Sequence, residues 1–147
     1  MAKFKHIFLA TDFGDCSSQA LQLATELTVQ FGAQLTLLHV WELPSYGYMD
    51  AIALPTDLVD QVARAAEARM AETVATIQER CPDTRSIVKM GNIAFELQKI
   101  VEDERPDLLV LGTHGRHGFK RALLGSVAEK LVRTSPVPVL TVHGTEP

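Results

Sequence analysis

The stretch Gly112–Val127, GTHGRHGFKRALLGSV, decides the fold of this chain. Three glycines and a serine stand in it at the spacing G-x2-G-x9-G-S. The residues before it, DLLVL from Asp107 to Leu111, form a short apolar run typical of a strand buried on both faces. The residues after it, up to Thr134, have the apolar spacing of a helix. A strand that ends in glycines and leads into a helix presents free backbone N–H groups to an anion, so we interpret the stretch as a phosphate-binding loop.

Purely structural interpretations of this loop are also available. Each glycine can serve a turn, and Ser126 with Glu129 fits a capping box, which would only begin the helix. Arg116, Lys120 and Arg121 favour phosphate binding, because they put three cations into one loop of an acidic chain. The alternative for these cations is a solvated basic patch.

The glycine pattern, the strand LLVLG before it and the run SVAEKLVRTSPVPVLTV after it resemble the universal stress protein family, in particular its ATP-binding branch. The resemblance extends over the whole chain, from Ile7–Asp12 through Leu38–Val40 to the last strand. It implies a Rossmann-like α/β domain that binds ATP, usually dimerises and takes part in stress responses without a well-defined reaction.

Composition indicates one globular domain over residues 1–147. Hydrophobic residues make up 46% of the chain and charged residues 22%. We find no signal pattern or membrane-spanning run, so we expect a soluble cytoplasmic protein. The net charge of −4 argues against a nucleic-acid or anionic-membrane binder. Cys16 and Cys81 lack metal-ligand spacing and fit a reducing compartment, and we assign them no chemistry.

The apolar periodicity predicts five strands that alternate with four helices. Ser17 or Ser18 is expected to cap the first helix, Asp57 the second and Asn92 the third. The expected strands are Ile7–Ala10, Leu35–Val40, Ser86–Met90, Leu108–Leu111 and Val137–Val142. This alternation is typical of a doubly wound parallel sheet, and the resemblance implies the order 3-2-1-4-5 with helices on both faces.

Strands 1 and 4 would then be neighbours at the switch point where such sheets bind ligands. Asp12 ends the first strand and Gly112 the fourth. Either Asp12 or Asp15 could simply begin the helix, and we prefer that interpretation for Asp15. For Asp12 the resemblance implies a contact with the adenosine part of ATP. It also implies a backbone contact from Val40 to adenine. The family often has proline where this chain has Ala10.

By the same resemblance, the phosphates lie on backbone N–H groups of the glycine loop and of the helix that follows, and Mg²⁺ or Mn²⁺ bridges them. The full set of expected ATP-binding residues is Ala10, Thr11, Asp12, Val40, Gly112, His114, Gly115, Arg116, Gly125, Ser126 and Val127.

Two further segments of the sequence predict a loop beside the ligand and a strand that pairs with a partner subunit. Residues 41–56, WELPSYGYMDAIALPT, have no clear period and predict a long loop beside the ligand; their aromatic residues either cover a base, face a partner subunit or pack the loop down. Pro138 removes one hydrogen-bond donor from the last strand, which predicts a position at the sheet edge. An open edge agrees with the family's homodimerisation through this strand, unless the C-terminal tail covers it.

The sequence leaves three functions open. The first is an ATP-binding regulatory protein with at most slow hydrolysis, since we find no nucleophile paired with a base. The second is a phosphotransferase that uses His114 or His117. The third is a dimeric interaction module that binds no nucleotide. A two-component receiver is set aside, because Met90-Gly91 stands where it needs an aspartate.

Overall fold

The computed structural model describes residues 4–43, 56–114 and 124–144. Strands and helices alternate along these residues. The strands are β1 His6–Ala10, β2 Gln34–Trp41, β3 Arg85–Met90, β4 Leu108–Gly112 and β5 Val139–Val142. The helices are α1 Asp15–Phe31, α2 Thr56–Ile77, α3 Ile93–Glu104 and α4 Ser126–Thr134.

The strands form one parallel sheet in the order β3-β2-β1-β4-β5, which confirms the predicted order. β1 lies at the centre, where Ala10 is paired with Leu38 of β2 and Leu111 of β4. The chain therefore reverses its direction of winding between β1 and β4, and the carboxyl ends of these two strands meet at the switch point.

Two hydrophobic cores cover the two faces of the sheet. On one face, Leu9 and Leu37 pack with Ala24 of α1 and Met70 of α2. On the other face, the strand residues Phe8, Leu38 and Leu109 pack with helix residues. These helix residues are Val101 of α3 and Leu131 of α4. Because β4 is buried on both faces, its sequence is a continuous apolar run, as predicted, whereas β2 also carries Thr36 and His39.

The cap predicted for α1 is wrong. The helix begins at Asp15, and its N-cap is Gly14, three residues before Ser17. The hydroxyl of Ser17 is instead engaged by Asp12, which lies in the turn before the helix. Asp57 likewise lies inside the first turn of α2 rather than before it. The prediction for α3 is confirmed, since Asn92 is its N-cap and accepts the N–H of Phe95 at 3.0 Å.

β5 lies at the sheet edge as predicted, but it is shorter than the sequence suggested. The strand begins at Val139, so Pro138 precedes it rather than interrupting it. The carbonyl of Pro138 accepts the N–H of Leu109 at 2.9 Å, which starts the pairing with β4. All four residues of β5 are half-buried.

Candidate functional site

The turn between β1 and α1 is organised by the carboxylate of Asp12. Its Oδ1 accepts the backbone N–H of Gly14 at 2.8 Å and the hydroxyl of Ser17 at 2.6 Å. Ser17 Oγ in turn accepts the N–H of Asp12 at 3.2 Å. Asp12 is half-buried, and within the described residues its Oδ2 has no partner. One carboxylate oxygen thus holds the turn, and the other is left for a hydrogen-bond donor outside the fold.

Phe13, the next residue, is held in an unusual conformation by three neighbours. Its φ of 64° lies in the left-handed region, which a non-glycine residue rarely adopts. Its N–H donates to Thr11 Oγ1 at 3.0 Å. Its ring centroid lies 4.3 Å from that of His39, and the Arg69 guanidinium carbon lies 5.1 Å from the Phe13 centroid. The fixed ring keeps the adjoining Asp12 in place.

His39 ties the ends of β1 and β2 together. Its Nδ1 lies 2.7 Å from the carbonyl oxygen of Thr11, so Nδ1 carries a hydrogen and donates it. The N–H of Thr11 donates to Leu38 at 2.8 Å. The predicted site residues Ala10 and Val40 flank this junction and are buried, with 7% and 5% of their surface exposed.

The glycine loop is closed by a hydrogen bond between its two ends. The N–H of Gly125 donates to the carbonyl of Thr113 at 2.6 Å, and the N–H of Thr113 donates to Val142 at 3.0 Å. These bonds fix the start of α4 to the end of β4, beside the switch point. Because Thr113 accepts the Gly125 N–H, that group is used inside the protein, although the sequence analysis assigned it to a phosphate.

The capping box that was the structural alternative at the start of α4 is not formed. The N-cap is Gly125, which has no side chain to accept a hydrogen bond, and Ser126 is an exposed first residue of the helix. Glu129 donates its N–H to the Gly125 carbonyl at 2.9 Å, and its carboxylate pairs with Arg133 one turn further on. The N–H groups of Ser126 and Val127 therefore have no acceptor in the described part of the chain.

Two buried polar atoms of the residues that follow β4 have no hydrogen-bond partner. They are Thr113 Oγ1, whose residue is fully buried, and His114 Nε2. Buried polar atoms are nearly always hydrogen-bonded, so orphaned ones mark a place where a ligand or water belongs. Together with the uncapped N–H groups of α4, they offer hydrogen bonds to an anionic group.

Gly112 allows α1 to pack closely against β4, a role that was not predicted from the sequence. A Cβ atom placed on it would lie 2.7 Å from Cys16 Cβ and 3.0 Å from the Cys16 carbonyl carbon. The first turn of α1 therefore packs directly on the backbone of β4, which brings the Asp12 turn close to the loop.

The structure thus brings Thr11 and Asp12, on the β1 side, next to Gly112, His114 and the start of α4, on the β4 side. Gly115 and Arg116 lie outside the described residues, as do His117, Lys120 and Arg121 and most of the predicted lid. Sequence reasoning missed Phe13, His39 and Arg69, because their contacts join separate elements and leave no local pattern.

Among residues 4–43, 56–114 and 124–144, no group of three or more His, Cys, Asp and Glu side chains is placed to hold a metal ion. No helix in the same ranges is long and apolar enough to cross a bilayer.

Comparison with known proteins agrees with this architecture. Universal stress protein A homolog 2 of Coxiella burnetii is 33% identical over 145 residues, which cover 97% of each chain. Universal stress protein A homolog 1 of the same organism is 30% identical over 139 residues, covering 95% of this chain and 96% of the relative.

Solved structures show the same fold. That of MJ0577, a universal stress protein of Methanocaldococcus jannaschii, superimposes with a TM-score of 0.86 at 26% identity, over 99% of this chain and 100% of its own. A family member from Arabidopsis thaliana with AMP bound has a TM-score of 0.69 at 18% identity, over 96% and 92% of the two chains. Residues 3–143 match the profile of the universal stress protein family, and the chain belongs to that family.

Proposed function

We propose that this chain is an ATP-binding regulatory protein of the stress response, with at most slow ATP hydrolysis. The observation that carries the proposal is the uncapped start of α4, which the Gly125–Thr113 hydrogen bond fixes beside β4 at the switch point of the sheet. A helix start with free N–H groups at this place is suited to phosphate. The AMP-bound relative shows that this fold accommodates an adenine nucleotide in another protein.

In this proposal, residues on the β1 side of the switch point bind the nucleoside of ATP, and residues on the β4 side bind its phosphates. On the β1 side, the free Oδ2 of Asp12 accepts a hydrogen bond from a ribose hydroxyl or a base amine, and its negative charge would repel phosphates. On the β4 side, the N–H groups of Ser126 and Val127 and the His114 Nε2 atom bind phosphate oxygens. Gly115 and Arg116 complete this side in the proposal.

Bound Mg²⁺ or Mn²⁺ would supply charge neutralisation of the phosphates. The Asp12 carboxylate holds its own turn through Oδ1, so the chain's contribution there is to position the nucleoside. Among the described residues that follow β4 directly, His114 carries a side chain that is able to move a proton. We assign it to binding, because its unpartnered Nε2 atom has no base beside it among the residues that the structure describes.

Calorimetric titration of nucleotide-stripped protein tests the proposal. ATP with magnesium should bind in the micromolar range, and ADP and AMP should bind progressively more weakly as phosphate contacts are lost. Absence of heat with all three nucleotides, from a folded sample, would instead favour the interaction module.

Substitutions distinguish the two halves of the site. Gly115→Leu should block approach of the backbone to the phosphates without unfolding the domain, and normal ATP affinity in this variant would contradict the assignment. Asp12→Ala should weaken ATP more than free triphosphate. Ser17→Ala is the matched control, because it removes the same hydroxyl contact and leaves the carboxylate. Equal loss of ATP in Asp12→Ala and Ser17→Ala would show that Asp12 acts only through the turn.

We also propose a homodimer through β5 in the cytoplasm, without nucleic-acid or membrane partners. β5 is an edge strand whose four residues are half-buried. The cytoplasmic location in this proposal comes from the sequence, in which two widely separated cysteines fit a reducing compartment. Thr141→Lys would place a charge on this edge, so sedimentation should show a monomer, whereas Thr76→Lys on the exposed surface of α2 should leave the dimer intact.

A further inference from the structure

β2 extends beyond the end of β1, so the last residues of β2 have a strand neighbour on one side only. The register between β1 and β2 ends at the pair Ala10 and Leu38. The pairing of β2 with β3 continues to Trp41, which lies opposite Met90. The side of β2 that faces β1 is therefore open beyond Leu38, at the carboxyl ends of the strands where we place the nucleotide.

The backbone groups on this open side belong to Val40. Successive residues of a parallel strand direct their N–H and carbonyl groups alternately to the two neighbouring strands. Trp41 accepts the N–H of Gly91 at 2.9 Å and so faces β3, whereas Leu38 accepts the N–H of Thr11 at 2.8 Å and faces β1. Val40, two residues after Leu38, therefore also directs its N–H and carbonyl towards the β1 side.

Neither group of Val40 is bonded to the residues that follow β1. If the parallel ladder continued, the Val40 N–H would donate to the Thr11 carbonyl, and the Val40 carbonyl would accept the Phe13 N–H. The described part of the chain makes neither bond. Val40 is only 5% exposed, and buried backbone N–H groups are nearly always paired. The open pair of groups therefore indicates a place for a ligand that carries both an acceptor and a donor.

The two partners that Val40 would have are bonded to side chains instead. His39 Nδ1 donates to the Thr11 carbonyl oxygen at 2.7 Å. The Phe13 N–H donates to Thr11 Oγ1 at 3.0 Å. The imidazole of His39 is held by the Phe13 ring, whose centroid lies 4.3 Å away at an interplanar angle of 40°. The side chains of His39 and Thr11 thus end the ladder one bond before Val40.

We propose that His39 is a positioning residue that sets the base specificity of the nucleotide site. By donating to the Thr11 carbonyl, it leaves the Val40 N–H and carbonyl side by side for a purine. Adenine presents the matching pair, since N1 is an acceptor and the 6-amino group beside it is a donor. Guanine and hypoxanthine present the opposite pair, an N1–H donor beside the O6 acceptor. This inference rests on the proposed function and adds the residue that makes the site select a 6-aminopurine.

Titration with ATP and with inosine triphosphate measures this selection, because the two ligands differ only at the edge of the base that would face Val40. The parent should bind ATP at least about tenfold more tightly than inosine triphosphate, since the latter opposes a donor to a donor and an acceptor to an acceptor. His39→Leu frees the Thr11 carbonyl to accept the Val40 N–H. ATP affinity should then fall at least about tenfold, while the affinity for inosine triphosphate changes little.

His39→Asn is the conservative variant. The amide nitrogen of its side chain takes nearly the position of Nδ1 and donates to the same carbonyl, so most of the preference for ATP should be retained. His6→Leu is the control, because His6 is also a strand histidine but lies at the amino end of β1, where its Nε2 is 3.4 Å from Thr36 Oγ1. It should leave the ratio of the two affinities unchanged.

Amide hydrogen exchange of the nucleotide-free protein gives a readout that needs no ligand. In His39→Leu the Val40 N–H should exchange at least about tenfold more slowly than in the parent, because it gains the Thr11 carbonyl as an acceptor. In His39→Asn the exchange should stay close to that of the parent.

Either of two results would overturn the inference: an unchanged ratio of ATP to inosine triphosphate affinity in His39→Leu, or unchanged exchange of the Val40 N–H in that variant. Failure of the proposed function is seen differently, as absence of ATP binding by the parent. The exchange comparison then decides by itself whether His39 keeps Val40 out of the ladder.

Discussion

Gly112→Ala is expected to destabilise the protein through backbone packing. The new methyl group would lie 2.7 Å from Cys16 Cβ and 3.0 and 3.2 Å from the carbonyl carbon and oxygen of Cys16. The closest contact is about 1 Å shorter than the usual separation of about 3.5–4.0 Å between carbon atoms. Two of the three atoms belong to the backbone of α1, which cannot rotate away. We therefore expect a loss of about 2–3 kcal/mol in the free energy of unfolding, at the upper end of the range for overpacking.

Gly144→Ala is the matched comparison, because its new methyl group would meet the same residue at a different atom. The contact there is Cys16 Sγ at 2.7 Å, the end of a side chain that is free to rotate, so we expect a loss of less than about 1 kcal/mol. Cys16→Ala should then restore the stability of Gly144→Ala, whose contact is with Sγ, but not that of Gly112→Ala, because alanine keeps the Cβ and backbone atoms that Gly112→Ala meets. Urea unfolding gives the free energy of unfolding of five proteins, provided that the m-value is unchanged among them. They are the parent, the two glycine variants and the combination of each with Cys16→Ala. An unchanged midpoint for Gly112→Ala, or complete rescue of it by Cys16→Ala, would refute the packing argument.

Three other predictions concern helix caps, thiols and a strand anchor. Asn92→Ala should cost about 1 kcal/mol in urea unfolding because it removes a side-chain cap, whereas Ser126→Ala, which removes none, should change stability by less than about 0.5 kcal/mol. Cys81 is buried and should be alkylated much more slowly than Cys16. Because burial raises the pKa of Cys81, its thiol ionises at lower pH in the unfolded chain than in the folded one, so the free energy of unfolding should fall as the pH rises through this range. The variant Cys81→Ala should lack this contribution to the pH dependence. Asp107→Ala should cost about 1–3 kcal/mol, because its carboxylate accepts two backbone N–H groups at the start of β1; an unchanged unfolding midpoint would contradict this.

The strands were predictable because their signals are local, whereas their order was an implication of the family resemblance. A buried parallel strand such as β4 is a continuous apolar run, and the apolar positions on α3 recur at helical spacing, so each element is visible within its own sequence. The errors fall at helix starts. Gly14 and Gly125 are the N-caps, although neighbouring serines fitted that role in the sequence. Whether a serine caps a helix depends on where the preceding turn places its hydroxyl, and the hydroxyl of Ser17 is bonded to Asp12 instead.

Part of the site was beyond the reach of the sequence. Asp12 was identified from its place after a strand, but the aromatic and cationic neighbours that hold Phe13 come from β2 and α2, far along the chain. Gly112 was recognised as a motif glycine, yet its close contact with Cys16 depends on how α1 lies on the sheet. Such contacts follow from tertiary packing, which local patterns do not encode.

The hydrogen bond from Gly125 to Thr113 also bears on how this family can diversify. Gly125 is bonded to Thr113, and Thr113 to Val142 of β5, through backbone groups alone, so these contacts between β4, α4 and β5 do not depend on the side chains between them. Loop-closure entropy grows slowly with length, by only about 0.6 kcal/mol for each doubling. Replacing the residues between Thr113 and Gly125 with the corresponding sequence of a relative should therefore leave the free energy of unfolding of the host domain nearly unchanged.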